Sequence, residues 1–172
     1  MRLAPVAAAG LFAACAYPVD RAACAIDSDC GPSGFCLGAT CRQGTRACPA
    51  LQPTYSSIDR GLFQVSCGAS GSKGINCHSP EGAGSASFLD LSGDAYARLV
   101  NRTAVNPLGD LKDLLLVKPG DPDASFLVQK LRLTTALDAH LGSGMPADAP
   151  GSICASSVDA IAQWIREGAG RN

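Results

Sequence analysis

The sequence has little charge and no surplus of either sign. Its 172 residues include 14 Lys and Arg against 15 Asp and Glu, for a net charge of −1, and charged residues make up 17% of the chain. Nucleic acids and anionic membrane surfaces attract proteins with a basic surplus. The composition therefore supports neither nucleic acid nor an anionic lipid surface as a partner.

Aromatic residues and strand patterns are also scarce. Aromatic residues make up 5% of the chain, whereas Gly and Pro number 19 and 11. Alternating apolar and polar runs are weak and short, and apolar residues instead recur at helical spacing between Gly and Pro. We therefore predict an all-α domain of four or five helices joined by long loops, preceded by a disulfide-rich segment.

A membrane-spanning run is missing. The apolar stretch in residues 1–15, MRLAPVAAAGLFAAC, is about half the ~20 residues that a spanning helix needs. One positive charge followed by a short apolar run is typical of a signal peptide. The segment resembles a bacterial lipoprotein signal, in which Cys15 would carry lipid, although Phe12 stands where that family prefers Leu. Cleavage after Ala14 or Ala16 without lipidation is the alternative.

Cysteine is abundant, and nine thiols in a small chain indicate an oxidising compartment outside the cytoplasm. Residues 16–50 have few large apolar side chains, so cross-links must replace a core there. Their cysteine spacing lacks the paired knuckles typical of zinc sites, and we predict a disulfide module. We expect two bridges among Cys24, Cys30, Cys36 and Cys41, which leaves Cys48 and Cys154 as partners.

Residues 51–172 are predicted to form the helical domain. The first helix would span 54–66, and later ones have recognisable start signals. These signals are Ser92 or Asp94, Asp121-Pro122, and a capping box of Ser156 and Asp159. The predicted core positions are Tyr55, Ile58, Leu62, Val65, Tyr96, Leu99, Val100, Phe126, Leu127, Leu131, Val158, Ile161, Ala162 and Ile165.

Histidine and methionine are so few that the candidates for holding a cofactor are limited. His78 and His140 are the only histidines, and Met145 is the only methionine besides the initiator. Covalent haem attachment needs two thiols for the thioether bonds and a histidine directly after the second thiol. Cys77-His78 supplies that pair, and Met145 supplies a thioether that could bind iron from the opposite side.

Several short motifs together resemble the cytochrome-c-type domains of exported bacterial proteins. In chain order they are C…CH, LDL, VKPGDPDASFLVQKL, GMP and IAQWIREGA, and they extend over roughly residues 54–170. The resemblance implies that Cys67 and Cys77 attach haem c covalently, and that His78 and Met145 are the proximal and distal ligands of its iron.

The chain departs from that family at the attachment motif, because nine residues separate Cys67 from Cys77 where the family has two. The inserted segment, GASGSKGIN, contains three glycines, which allow tight reversals. We therefore predict an expanded attachment site whose inserted segment loops away from the porphyrin. A disulfide between Cys67 and Cys77, with His78 as an ordinary polar residue, is the alternative.

Two functional hypotheses follow. The first is a membrane-tethered monohaem electron-transfer protein of the periplasm or cell envelope, which exchanges electrons with redox partner proteins and is not an enzyme. The second is a haemless interaction module at the cell surface or in the periplasm, closed by a Cys67–Cys77 disulfide. No residue pattern indicates a catalytic triad or a thiol nucleophile.

Overall fold

The computed structural model of the chain describes residues 19–24, 27–32, 34–37, 40–44, 47–68, 77–80, 89–105, 111, 113–134, 138–147 and 150–172. The predicted signal peptide over 1–15 and its Cys15 lie outside these residues. Within the described residues, the helices are all too short or too polar to cross a membrane.

The described chain begins with a small antiparallel sheet held by disulfides. Strands β1 (Val19–Ala23), β2 (Gly34–Leu37) and β3 (Thr40–Gln43) lie in the order β1-β3-β2, and a 3-10 turn spans Asp27–Cys30. Cys36 of β2 lies opposite Cys41 of β3. The two predicted bridges of the module are confirmed as Cys24–Cys36 and Cys30–Cys41.

The prediction of an all-α fold is wrong. The described residues combine this three-stranded sheet with four short α-helices, and isolated β-bridges such as Val100 with Val117 join the loops between helices. Strands β2 and β3 have four residues each, which is too few for an alternating pattern to stand out from the Gly- and Cys-rich sequence. The fold is therefore mixed.

The first helix changes its winding along its length. Helix α1, Tyr55–Ile58, continues directly as a π-helical segment, Asp59–Cys67. Hydrogen bonds in a π-helix join residues five apart, so each turn is wider than in an α-helix. Phe63 consequently enters the core, whereas Val65, predicted to be buried, is 65% exposed. The position predicted from α-helical spacing was wrong for that reason.

Helices α2 (Tyr96–Leu99) and α3 (Phe126–Arg132) are short. Helix α3 begins four residues after the predicted Pro122, because the preceding residues form a turn around Ser125. The Ser125 hydroxyl donates to the carbonyl of Asp121 at 2.8 Å and accepts from the N–H of Lys118 at 2.9 Å. The PGDPDAS sequence is thus explained as a compact turn that leads into α3.

Helix α4 (Ala155–Arg166) carries the predicted buried face. Val158, Ile161 and Ile165 lie in one core cluster with Ile58 and Leu62, which confirms the packing predicted between the first and last helices. Each such side chain contributes roughly 1.5–3 kcal/mol of stability through burial.

The predicted capping box at the start of α4 is not formed. Cys154 is the N-cap residue, its side chain makes no capping hydrogen bond, and Ser156 and Asp159 are exposed. Cys154 is instead bonded to Cys48, as predicted, at an S–S distance of 2.07 Å. The helix therefore begins where this disulfide fixes the chain, before the first residue of the predicted box.

We expect removal of the long-range disulfide to destabilise the helical core. The Cys48–Cys154 bond joins residues 106 apart, so the double variant Cys48→Ala/Cys154→Ala should lower the free energy of unfolding by about 2–5 kcal/mol. Denaturant titration followed by fluorescence of Trp164, the single and fully buried tryptophan, measures it.

The matched control is Cys24→Ala/Cys36→Ala, which opens a bridge of separation 12 inside the sheet module. It should leave the Trp164 midpoint close to that of the wild type. Equal losses in both double variants would show that the long-range bond has no special role in the core.

Candidate functional site

Three short stretches of the chain, at Cys67, His78 and Leu91, meet at the candidate site. The N–H of His78 donates to the carbonyl of Cys67 at 3.1 Å, and the N–H of Leu91 donates to the carbonyl of His78 at 2.7 Å. A Cβ added at Gly68 would lie 2.5 Å from the carbonyl carbon of Leu91, so this approach requires glycine. Except for Gly68, the predicted inserted segment, 68–76, lies outside the described residues, but the residues on its two sides are held together by the bond between Cys67 and His78.

The π-helical segment positions the first thiol. Cys67 is its last residue, and the N–H of Gly68 closes the segment by donating to the carbonyl of Phe63 at 2.7 Å. Phe63 is buried in the core, so the end of the segment is bonded to a residue that the core holds in place. A short π-helical stretch at a functional site is a recurrent feature of proteins.

The imidazole of His78 is held in one tautomer. Its Nδ1 lies 3.0 Å from the carbonyl oxygen of Leu89. A carbonyl oxygen can only accept, so Nδ1 carries the proton and Nε2 keeps its lone pair. Metal-binding histidines commonly donate their second nitrogen to a carbonyl in this way.

Burial lowers the pKa of His78 below its ordinary value, although the hydrogen bond to Leu89 raises it, and the nearby Lys130 charge lowers it further. Burial and the Lys130 charge both favour the neutral imidazole, which is the form that binds a metal. The side chain is therefore a neutral imidazole whose Nδ1 is bonded to a backbone carbonyl.

The two thiols of the site differ in their surroundings. Cys67 and Cys77 lie outside the three disulfides, with Cys67 half-buried and Cys77 exposed. Burial raises the pKa of Cys67 to about 11, and the proximity of Cys77 adds to this increase. Cys67 is therefore a protonated thiol at neutral pH, which argues against a role as a nucleophile. The Cys67–Cys77 disulfide of the alternative hypothesis is not formed.

Met145 lies in a loop that follows α3. Its half-buried side chain packs against the main core, as do those of Cys67 and Leu89. Its N–H donates to the carbonyl of Lys130 at 3.0 Å. A Cβ at Gly144 would lie 2.6 Å from the carbonyl oxygen of Leu133, so the GMP sequence needs glycine before the methionine.

The structure thus brings Cys67, Cys77 and His78 to one junction and places Met145 against the same core. His140, the second histidine, is exposed, and its N–H donates to the carboxylate of Asp138. Sequence reasoning missed Lys130, which lies four residues after the buried Phe126 on the inner face of α3. A lysine at a core position of a helical pattern was the available signal.

A separate groove lies beside the long-range disulfide. An open, mainly apolar groove of about 480 Å³ runs between the Cys48–Cys154 disulfide and the π-helical segment, and none of the predicted haem ligands lines it. Three sulfurs of the sheet module, on Cys24, Cys30 and Cys41, lie within 4.8 Å of one another. All three are in disulfides, so this cluster supplies no thiolate for a metal.

Comparison with known proteins identifies no family for this chain. No protein-family model, curated protein or solved structure gives a significant match to this chain.

The raised pKa of the half-buried Cys67 predicts slow alkylation. In the haem-free variant Cys15→Ser/Cys77→Ser, Cys67 is the one cysteine outside the three disulfides. A pKa of about 11 against a usual value of 9.0 lowers its thiolate fraction at neutral pH by about 100-fold. Iodoacetamide should therefore modify it about 100-fold more slowly in native than in urea-unfolded protein, as measured by mass spectrometry.

The reaction rate should also keep rising with pH up to about 11, because the thiolate accumulates only there. The matched variant Cys15→Ser/Cys67→Ser retains the exposed Cys77 and should react readily in the native state. Equal native and unfolded rates for Cys67 would contradict the burial.

Proposed function

We propose that the chain is an exported electron-transfer protein that holds one covalently bound haem c through Cys67, Cys77, His78 and Met145. The observation that carries the proposal is the junction at His78. There a neutral imidazole, oriented by the Leu89 carbonyl, is hydrogen-bonded through its backbone to Cys67.

The side chains at and near the junction are of the types that this cofactor needs. Cys67 and Cys77 would hold it through thioethers, and His78 through Nε2 and Met145 through its sulfur would be the ligands of its iron. Haem held between histidine and methionine exchanges single electrons, and methionine ligation raises its reduction potential.

The surroundings of the site are consistent with one-electron exchange rather than substrate turnover. Cys77 is exposed, so a redox partner protein can approach this side of the molecule. Cys67 is kept protonated by burial, and His78 is bound to a backbone carbonyl instead of a carboxylate. A Cys-His nucleophile would instead need a thiolate and a basic imidazole.

The chain would act outside the cytoplasm, tethered to a membrane of the cell envelope by lipid on Cys15. Support comes from the signal-like 1–15 segment and from three disulfides, which form in oxidising compartments.

One observation favours the second candidate, a haemless interaction module. The apolar groove of about 480 Å³ is lined by neither His78 nor Met145, and it contains the exposed Val65. Exposed apolar surface of this kind can mark a contact with another protein. This candidate would also require oxidation of Cys67 and Cys77 to a disulfide in the exported protein, a bond that is not formed in the structure.

Covalent haem is the decisive test of the first candidate. Protein exported in cells that contain haem-attachment enzymes should keep a haem spectrum after denaturation and acid extraction. His78→Ala and Cys77→Ala should lose most of it, because a ligand and a thioether are removed. Met145→Ala should keep covalent haem but change the ligand bands and lower the reduction potential.

His140→Ala is the matched control, since His140 is exposed and should affect none of these signals. If the exported wild type carries no covalent haem and peptide mapping finds a Cys67–Cys77 disulfide, the haem proposal is wrong and the interaction module is supported.

Lipidation is tested separately. Cys15→Ser should move the protein from the membrane fraction to the soluble fraction of the cell envelope, without changing Trp164 fluorescence, because the substitution changes none of the residues that form the core cluster around Trp164. Wild-type protein found in the soluble fraction would contradict the tether.

A further inference from the structure

Lys130 is a buried cation beside the candidate site. It lies on α3 with 6% of its surface exposed, and it is the one charged residue among the buried polar residues of the described chain. Burying an ammonium group is costly unless hydrogen bonds replace its water. Arg132, two residues later on the same helix, is exposed and pairs with Asp123. Lys130 therefore differs from its neighbour Arg132 in being buried without an ion-pair partner among the described residues.

The ammonium of Lys130 is satisfied by the loop that leads to Met145. Its Nζ donates to the carbonyl of Leu141 at 3.2 Å and to the carbonyl of Ser143. The backbone carbonyl of Lys130 in turn accepts from the N–H of Met145 at 3.0 Å. One residue thus holds three alternate positions of the loop, 141, 143 and 145.

Other groups around Nζ do not replace these bonds. The ring of Phe126 lies 5.5 Å from Nζ, within the range of a cation–π contact. Among the described residues no carboxylate oxygen lies within 4.0 Å of Nζ, although Asp138 exerts a longer-range attraction. The two loop carbonyls are therefore the principal partners of the charge.

We propose that Lys130 is a positioning residue, whose ammonium fixes the loop carbonyls of Leu141 and Ser143 so that the Met145 thioether is presented to the site. This inference rests on the proposed function for the identity of the bound group. Within the described part of the loop, Asp138 and Gly142 exchange two backbone hydrogen bonds, and the carboxylate of Asp138 accepts from the N–H groups of His140 and Leu141. These bonds are internal to the loop, whereas the side chain of Lys130 joins the loop to α3.

The test compares Lys130→Met with the matched control Arg132→Met in haem-loaded protein. Lys130→Met keeps the length of the side chain but removes its donors. Covalent haem should be retained in both variants, because neither changes Cys67, Cys77 or His78. In Lys130→Met, however, the methionine-ligation bands should weaken, and added imidazole should bind about tenfold or more tightly, because the methionine-dissociated state is more populated. Arg132→Met should match the wild type.

A second readout does not depend on haem. In haem-free protein, exchange of the Met145 amide should be at least about tenfold faster in Lys130→Met, whereas the amides of α4 should exchange as in the wild type. Lys130→Gln is the substitute if Lys130→Met does not fold, as judged by Trp164 fluorescence. Its shorter amide can reach one carbonyl at most, so it should show the same changes at smaller amplitude.

The outcomes separate the two proposals. Haem-loaded Lys130→Met with imidazole affinity and exchange equal to those of Arg132→Met would overturn the positioning role and leave the haem function standing. A wild type without covalent haem would overturn the proposed function, and the exchange of the Met145 amide would then decide whether Lys130 holds the loop. Uniformly faster exchange in α4 and the loop would indicate general destabilisation and also overturn the positioning role.

Discussion

The candidate site depends on two backbone hydrogen bonds at His78. They join the end of the π-helical segment at Cys67 to the chain that precedes α2 at Leu91. Gly68 makes this approach feasible, because any side chain there would collide with the Leu91 backbone. The backbone of His78 is thus bonded on both sides, and its imidazole cannot turn without losing the Nδ1 bond to Leu89, which is worth about 0.5–1.5 kcal/mol.

The motifs behind the resemblance to cytochrome-c-type domains have structural explanations of their own. Ser125 organises the turn before α3, and Trp164 donates its indole N–H to the carbonyl of Gly170 at 2.8 Å. Tyr96 donates its hydroxyl to the carbonyl of Ala169 at 2.7 Å, so the segment after α4 is fastened to α2. These residues account for how the core is closed. The proposed haem site therefore depends on Cys67, Cys77, His78 and Met145 and not on the wider motif pattern.

Burial disfavours the charged form of each ionisable group near the site. It keeps His78 neutral and Cys67 protonated, since charged forms are disfavoured away from water. Lys130 is buried as well, and burial lowers its pKa, yet two carbonyls hydrogen-bond its ammonium. The site thus combines two neutral side chains, His78 and Cys67, with one ammonium group whose hydrogen-bond acceptors are backbone carbonyls instead of water. Such a combination suits a bound group that is held by coordination and covalent bonds more than by ion pairs.

The sequence by itself determined the buried face of α4, because helical periodicity is a property of the local chain. It predicted the pairing of Cys48 with Cys154 only by elimination, after two bridges had been assigned within the sheet module. It did not determine the sheet, whose strands of four or five residues are too short to show alternation, or the exposure of Val65, which follows from the π-helical winding. Tertiary structure alone decided that Lys130 is buried and that Cys67 and His78 share a backbone bond. The physical reason is that their partners lie 11 to 13 residues away, across loops, and no local pattern encodes which carbonyls a fold will bring within hydrogen-bonding distance.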